Sequence, residues 1–367
     1  MADSRWMIYG ATGFTGRLLV EEAIARGHRP IIAGRSAERV QALAQQHGLE
    51  FRVFGSHDSR EIAANLRAAA VELVLHAAGP FIHTSAPMID ACLRTKTHYL
   101  DITGEIPVFE NTIRHHALAQ ARGVLLMSGV GFDIVPSDCL SLYLADQVEE
   151  PFALELGISG LGGADSKKGA GVSAGTLRSV LEMTALGGQV RRGSRLQPID
   201  LGMMVKSFSF PFGQREAMAI SWGDVSTAWH TTGVPNVTTY MTFPLPLIKG
   251  AQSIGWLVQR LLRIDAVRQR IAEQIDGSAT GPSDEALATA RAHIYGHMTG
   301  RDGSTAEAWI ETAEGYQFTR LAAVRIVERV LDSDLTGALT PARAFGADFA
   351  LEIEGTVRRD RLDEVPA

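Results

Sequence analysis

Seven residues near the N-terminus, Gly10-Ala11-Thr12-Gly13-Phe14-Thr15-Gly16, constrain this chain more than any other stretch. They follow the apolar run Trp6–Tyr9 and open a helical pattern over 17–23. Strand, glycine turn and helix are the parts of a dinucleotide-binding unit. Gly10 lets the chain turn tightly off the strand, Gly13 lets backbone N–H groups approach a pyrophosphate, and Gly16 lets helix and strand pack closely. The spacing is G-x-x-G-x-x-G rather than G-x-G-x-x-G, a variant that suits reductases and NADP-binding sensors better than a lactate-dehydrogenase style of site. By itself it is weak, because the chain holds 37 glycines.

The context strengthens it. A second apolar strand is expected over 28–33, followed by Gly34-Arg35-Ser36. An NAD site usually places an acid here for the ribose 2′-hydroxyl. Arg35 and Ser36 can hold a 2′-phosphate instead. One charge-assisted hydrogen bond of roughly 1.5–3 kcal/mol corresponds to about 10–100-fold preference for NADP(H). The alternative is a surface arginine capping the next helix, 37–47.

The alternation continues. Strands are expected over 50–54, 72–78, 98–101 and 123–127, with helices over 59–69, 86–94 and 107–121. Strands alternating with helices of about ten residues mean a parallel, doubly wound sheet with ligands at the carboxyl ends of its strands. Gly79, Pro80 and Phe81 end the fourth strand, where small residues let a nicotinamide lie close to the backbone. Asp58 follows the third strand and could either meet the adenine amino group or cap the helix that starts at Ser59.

Further clusters fall at later strand ends: Tyr99-Leu100-Asp101-Ile102-Thr103-Gly104-Glu105, then the segment from Ser128 through Asp133 to Asp138. The set GATGFTG, AGR, AAGPF, YLDITGE and GFDIVPSD, with a C-terminal LTPARAFG, resembles the saccharopine-dehydrogenase-like oxidoreductases. It is similar in particular to their compact bacterial members, which include trans-acting enoyl reductases. These motifs cover roughly the first 140 residues and the last 30, and the middle of the chain carries almost none of them. The resemblance implies NADP(H)-dependent hydride transfer on a two-domain scaffold. It implies that Gly10, Thr12, Gly13, Phe14, Thr15 and Arg35 bind the cofactor, that Gly79, Pro80 and Phe81 flank its nicotinamide end, and that Asp101, Glu105 and Asp133 face the cleft. Saccharopine itself is not the expected substrate, since its carboxylates call for an Arg and Lys cluster that the central region lacks.

The expected fold is therefore α/β, a Rossmann-type doubly wound parallel sheet with a second α+β substrate domain. Residues 1–135 would form the nucleotide-binding domain, completed by 316–367 through a helix over 316–331, and 136–315 the substrate and dimerisation domain. In the central region, helices are expected over 136–148 and from Ser173, and strands over 153–160, 292–298 and 307–312. The last two would be joined through Gly300-Arg301-Asp302-Gly303. The loop 162–171 is flexible and basic, a lid or a plain solvated loop, and Lys167 is its candidate beside a substrate anion. Segment 242–263 is apolar, but its prolines and polar interruptions argue against a membrane-spanning helix. It reads as core, as a homodimer surface, or as a wall for a greasy acyl substrate or a lipid contact.

No tyrosine is followed four residues later by lysine, so the usual proton-donating pair of short-chain reductases is missing, and no hydrolase or zinc-protease motif occurs. A cleft acid should supply the proton; Asp133, Tyr99 and water are the candidates. The scattered histidines suggest no metal site. With 46% hydrophobic residues the chain can bury a full core, and its net charge of −6 argues against nucleic acid as a partner. Two isolated cysteines and a first strand reached within a few residues point to the cytoplasm. The leading expectation is an NADPH-dependent reductase of a C=C or C=N bond in a small or acyl-chain substrate. The rival is a non-catalytic NADP-binding sensor or scaffold.

Overall fold

The computed structural model describes residues 4–160, 171–278 and 281–362. The first six strands, β1 (Trp6–Tyr9), β2 (Ile31–Gly34), β3 (Phe51–Val53), β4 (Leu73–His76), β5 (His98–Asp101) and β6 (Leu125–Met127), lie parallel in the order 3-2-1-4-5-6. Between them run helices α1 (Phe14–Ala25), α2 (Ala37–His47), α3 (Ser59–Ala68), α4 (Phe81–Thr95), α5 (Ile106–Arg114) and α6 (His116–Arg122). The order reverses between β1 and β4, which is where such a sheet opens a ligand crevice. Period-2 alternation along β1 sends Trp6 and Ile8 into one apolar cluster and Met7 and Tyr9 into another, so both faces of the sheet are covered.

Beyond α7 (Val135–Ala145) the chain builds a second, mixed sheet with helices around it. Its strands are β7 (Pro151–Ser159), β8 (Gly188–Arg192), β9 (Arg195–Ile199), β10 (Val205–Phe210), β11 (Gly213–Ala219), β12 (Asn236–Thr242), β13 (Arg291–Gly300) and β14 (Thr305–Ala313). Its helices are α8 (Ala174–Leu186), α9 (Asp224–Thr232), α10 (Leu245–Leu262), α11 (Asp265–Ser278) and α12 (Asp284–Thr289). The principal path is β10-β11-β12-β7-β13-β14, with β8 and β9 attached beside β12. The β13–β14 hairpin forms around the glycine turn, as its sequence suggests.

Helix α13 (Gly315–Leu331) packs on α1 and β4, and β15 (Gly337–Ala338) adds a parallel seventh strand beside β6. After α14 (Pro341–Phe345), the last strand, β16 (Val357–Arg359), pairs with β14 in the second sheet. One apolar cluster runs through both sheets, from Ile8 and Leu75 through Phe318 and Val327 to Leu156 and Ile310.

Two elements of the first sheet's half depart from the sequence expectation, and in the central region β8 to β12, α9, α11 and α12 have no counterpart in it. Helix α4 begins at Phe81 rather than 86, ahead of Pro87, which reads as a first-turn proline. The Glu105 carboxylate, from a distant loop, accepts the N–H groups of Phe81 (3.0 Å) and Ile82 (2.6 Å) and so starts the helix early. The single helix expected over 107–121 is broken at His115. Its Nδ1 lies 2.9 Å from the Asn111 carbonyl, the oxygen an uninterrupted helix would reserve for the His115 N–H. Lys167 and its loop lie outside the described residues.

Candidate cofactor and active site

The site grows from the turn after β1. Gly10 has φ +88°, and a Cβ there would come within 2.8 Å of the Ala77 carbonyl carbon, so the turn lies directly against the end of β4. A Cβ on Gly16 would lie 2.1 Å from the Gly10 oxygen, so α1 can approach its strand only with glycine there. Gly13 is the exposed N-cap of α1, and neither a capping side chain nor a first-turn acid occupies this end of the helix. An uncapped N-terminus over a backbone cradle fits a pyrophosphate. Thr12 and Thr15 are half-buried in the same turn, and the Thr12 carbonyl accepts from Arg39 Nη2 at 3.0 Å.

At the end of β2, Arg35 is exposed and Ser36 is the N-cap of α2 without a capping side-chain hydrogen bond. An exposed guanidinium with no hydrogen-bond or ion-pair partner among the described residues, beside a helix terminus that lacks a side-chain cap but carries Glu38 in its first turn, suits a 2′-phosphate. Asp58 is the N-cap of α3, its Oδ1 accepting from Arg60 N at 2.8 Å. This is the capping alternative, and it engages one of the two carboxylate oxygens. Phe14 is half-buried and packs edge-on against Tyr316, 5.1 Å between ring centres. The Tyr316 hydroxyl accepts from Ser173 N and lies 2.8 Å from Thr176 Oγ1, tying α1, α13 and the start of α8 together.

Gly79 and Pro80 are half-buried and Phe81 is buried, at the start of α4. Glu105, only 1% exposed, holds this turn through the two N–H groups of α4 and accepts from Ser179 Oγ of α8 at 2.7 Å. Burial raises its pKa against those three donors.

Asp101 does not face the cleft. It is fully buried and accepts from Tyr99 Oη, Ser128 Oγ, Thr103 N and Gly129 N at 2.8–3.0 Å, which organises the two loops that follow β5 and β6. Burial nevertheless raises its pKa to about 6. Tyr99 is also fully buried; its hydroxyl donates a hydrogen bond to Asp101 Oδ2, and its oxygen faces His76 Nδ1 at 3.3 Å. Burial and the Asp101 charge push the Tyr99 pKa well up. Its hydroxyl is thus engaged inside the sheet. His76 is fully buried, and desolvation lowers its pKa to about 3, so the ring is neutral.

Asp133 is placed differently. It is half-buried, and a Cβ on Gly104 would lie 2.9 Å from its Oδ2, so its carboxylate rests on the glycine of the loop after β5. Trp222 Nε1 donates to its backbone carbonyl at 2.9 Å, and Phe132 N donates to Thr319 Oγ1 of α13 at 3.0 Å. No described residue donates to its side chain. Desolvation, with the nearby Glu105 charge, raises its pKa to about 7. The contacts made through Tyr316, Thr319, Ser179 and Trp222 carry no sequence motif, because each depends on where a distant helix or loop lands. No group of residues that could hold a metal occurs among the described residues.

Comparison with known proteins agrees with this geometry. Residues 6–127 match the family described as saccharopine dehydrogenase NADP binding domain. A trans-acting enoyl reductase of Mycobacterium leprae is 37% identical over 143 residues, covering 37% of this chain and 34% of that protein. A putative trans-acting enoyl reductase of Mycobacterium tuberculosis is 27% identical across 94% of both chains. Apo saccharopine dehydrogenase (L-Glu forming) from Saccharomyces cerevisiae shares the fold, with TM-score 0.64 at 13% identity over 95% of this chain and 96% of that one. The first third of the chain thus matches the NADP-binding domain of saccharopine dehydrogenases. The cofactor this domain supports is NADP.

Proposed function

We propose that the protein reduces a C=C or C=N bond in a small or acyl-chain substrate, with Asp133 as the proton donor. The observation that carries this reading is the Asp133 carboxyl, whose pKa is raised to about 7 and which accepts no hydrogen bond from a described residue. An acid poised near neutral pH can both hold a proton and release it. NADP, when reduced and bound, supplies the hydride. Gly10, Thr12, Gly13, Phe14 and Thr15 would hold its phosphates at the open end of α1, and Arg35 and Ser36 its 2′-phosphate. Gly79, Pro80 and Phe81 would border its nicotinamide end. Asp133 then places a proton on the second atom of the double bond, carbon or nitrogen, and is reprotonated from solvent. Tyr99 and Asp101 hold the loops that carry Glu105 and Asp133. The enoyl-reductase names of the relatives favour an unsaturated acyl chain.

The test uses NADPH deuterated at the transferable position, mixed with the purified protein and either short- and long-chain 2-enoyl thioesters or cyclic imines. Protein-dependent deuterium in the reduced product supports the proposal and names the substrate class. Stoichiometric NADPH binding with no transfer to either class would favour a sensor or scaffold.

A further inference from the structure

Helix α10 packs only one side on the protein. Ile248, Gly255, Gln259 and Leu262 are buried. The seat is tight: a Cβ on Gly255 would lie 2.6 Å from the Leu201 oxygen, and one on Gly202 would lie 2.6 Å from the Ala251 carbonyl carbon. The rotation of the helix is thereby set, and so is the face it turns outward.

That outward face is apolar. Leu247, Ile254, Leu257 and Leu261 are 59%, 54%, 40% and 46% exposed, and Ile264, just past the helix end, is 51% exposed. At 3.6 residues per turn these five occupy one stripe about 100° wide. Trp256, 57% exposed, lies to one side of the stripe with Lys249, Arg260 and Arg263, all exposed. Segment 243–264 contains no acid, and none of these three cations is ion-paired among the described residues. No helix of the described residues is long and apolar enough to cross a membrane.

We propose that α10 is a lipid-surface helix that docks the protein on an anionic bilayer. The stripe would enter the acyl boundary with the helix in the membrane plane, Trp256 would sit at headgroup level, and the three cations would meet lipid phosphates. Charge decides between occupants. A second copy seated on the same face would bring Lys249, Arg260 and Arg263 of both chains together, and the adjacent acid, Asp265, is already paired with Arg268 at 2.6 Å. An anionic bilayer matches both the apolar stripe and the basic flank.

Leu262 and Val258 pack on Leu181 and Ala185 of α8, the helix that reaches Glu105 through Ser179 and Tyr316 through Thr176. One helix, α8, therefore lies between α10 and the residues Glu105 and Tyr316.

Sedimentation of the full chain with vesicles tests the docking without turnover. Vesicles of 3:7 phosphatidylglycerol to phosphatidylcholine should pull the protein down in low salt. Pure phosphatidylcholine, or high salt, should weaken binding about tenfold or more. The double variant Ile254→Ser, Leu257→Ser should also lose tenfold or more while NADPH binds as in the wild type, which shows the variant is folded. No binding by the wild type, or binding unchanged in the variant, overturns the proposal. A dimer in analytical ultracentrifugation that the same substitutions abolish would assign the face to a second copy. Failure of hydride transfer alone leaves these readouts untouched.

Discussion

At the scale of single residues, the desolvated carboxyl of Asp133 makes three predictions. Asp133→Asn should lower kcat by about 10²–10⁴-fold with NADPH affinity unchanged. Because the proton must be on the acid before transfer, wild-type kcat should fall as pH rises through about 7, and that limb should vanish in the variant. Stability should move as well. The folded protein keeps a proton that the unfolded chain releases near pH 4, so stability is lost as pH rises from about 4 to about 7. Thermal melts should therefore show Asp133→Asn gaining on the wild type between pH 4.5 and 8, and equal melting shifts at both pH values would place the carboxyl in water. At Arg35, change to Asp should weaken NADPH about 10–100-fold while sparing NADH, measured by fluorescence titration. Equal loss of both would remove Arg35 from the 2′-phosphate. Both residues stand out in the sequence, Arg35 by replacing an expected acid and Asp133 by its motif. Only the fold shows that Asp133 lies over Gly104 with no described residue donating to its carboxylate, whereas Asp101, in a motif of similar appearance, is saturated with donors.

At the scale of elements, Glu105 joins three pieces: the loop after β5, the first turn of α4 and the middle of α8. Glu105→Ala should orphan one buried and one part-buried N–H group and cost roughly 2 kcal/mol, read as a lower denaturation midpoint. Glu105→Gln keeps one acceptor oxygen and should cost less. A loss no larger than the ~0.5 kcal/mol of an ordinary surface change would mean that α4 starts without it. In the first third, local signals located strands and helices to within a few residues, and α2 and β5 match their expected limits, whereas β8 to β12, α9, α11 and α12 of the central region were not legible. They missed the start of α4 because its cap is borrowed from a residue 24 positions away, and the break at His115 because a ring nitrogen takes a backbone acceptor.

At the scale of the whole molecule, the two sheets share one core. Phe318, Ala322, Ala323 and Val327 of α13 are fully buried, and Glu328 accepts from Arg26 and His28 beside α1. A fragment ending at residue 150 would leave the α13 side of the first sheet bare and lack β15. It should therefore fail to unfold cooperatively in urea, whereas the full chain should unfold in a cooperative transition. A fragment that melts in one sharp transition would make 1–150 an autonomous domain. The C-terminal segment divides its strands: β15 completes the first sheet, and β16 leaves for the second.

The sequence by itself determined the parts whose physics is local. A strand, a glycine turn with no room for side chains and an amphipathic helix can be recognised from neighbouring residues, and so can an arginine where an acid would select NAD. Tertiary structure alone decided which carboxylates are saturated and which is free, where α4 starts and which side of α10 faces outward. Those outcomes depend on desolvation and on donors brought from distant positions, and the pairings exist only once the chain has closed on itself.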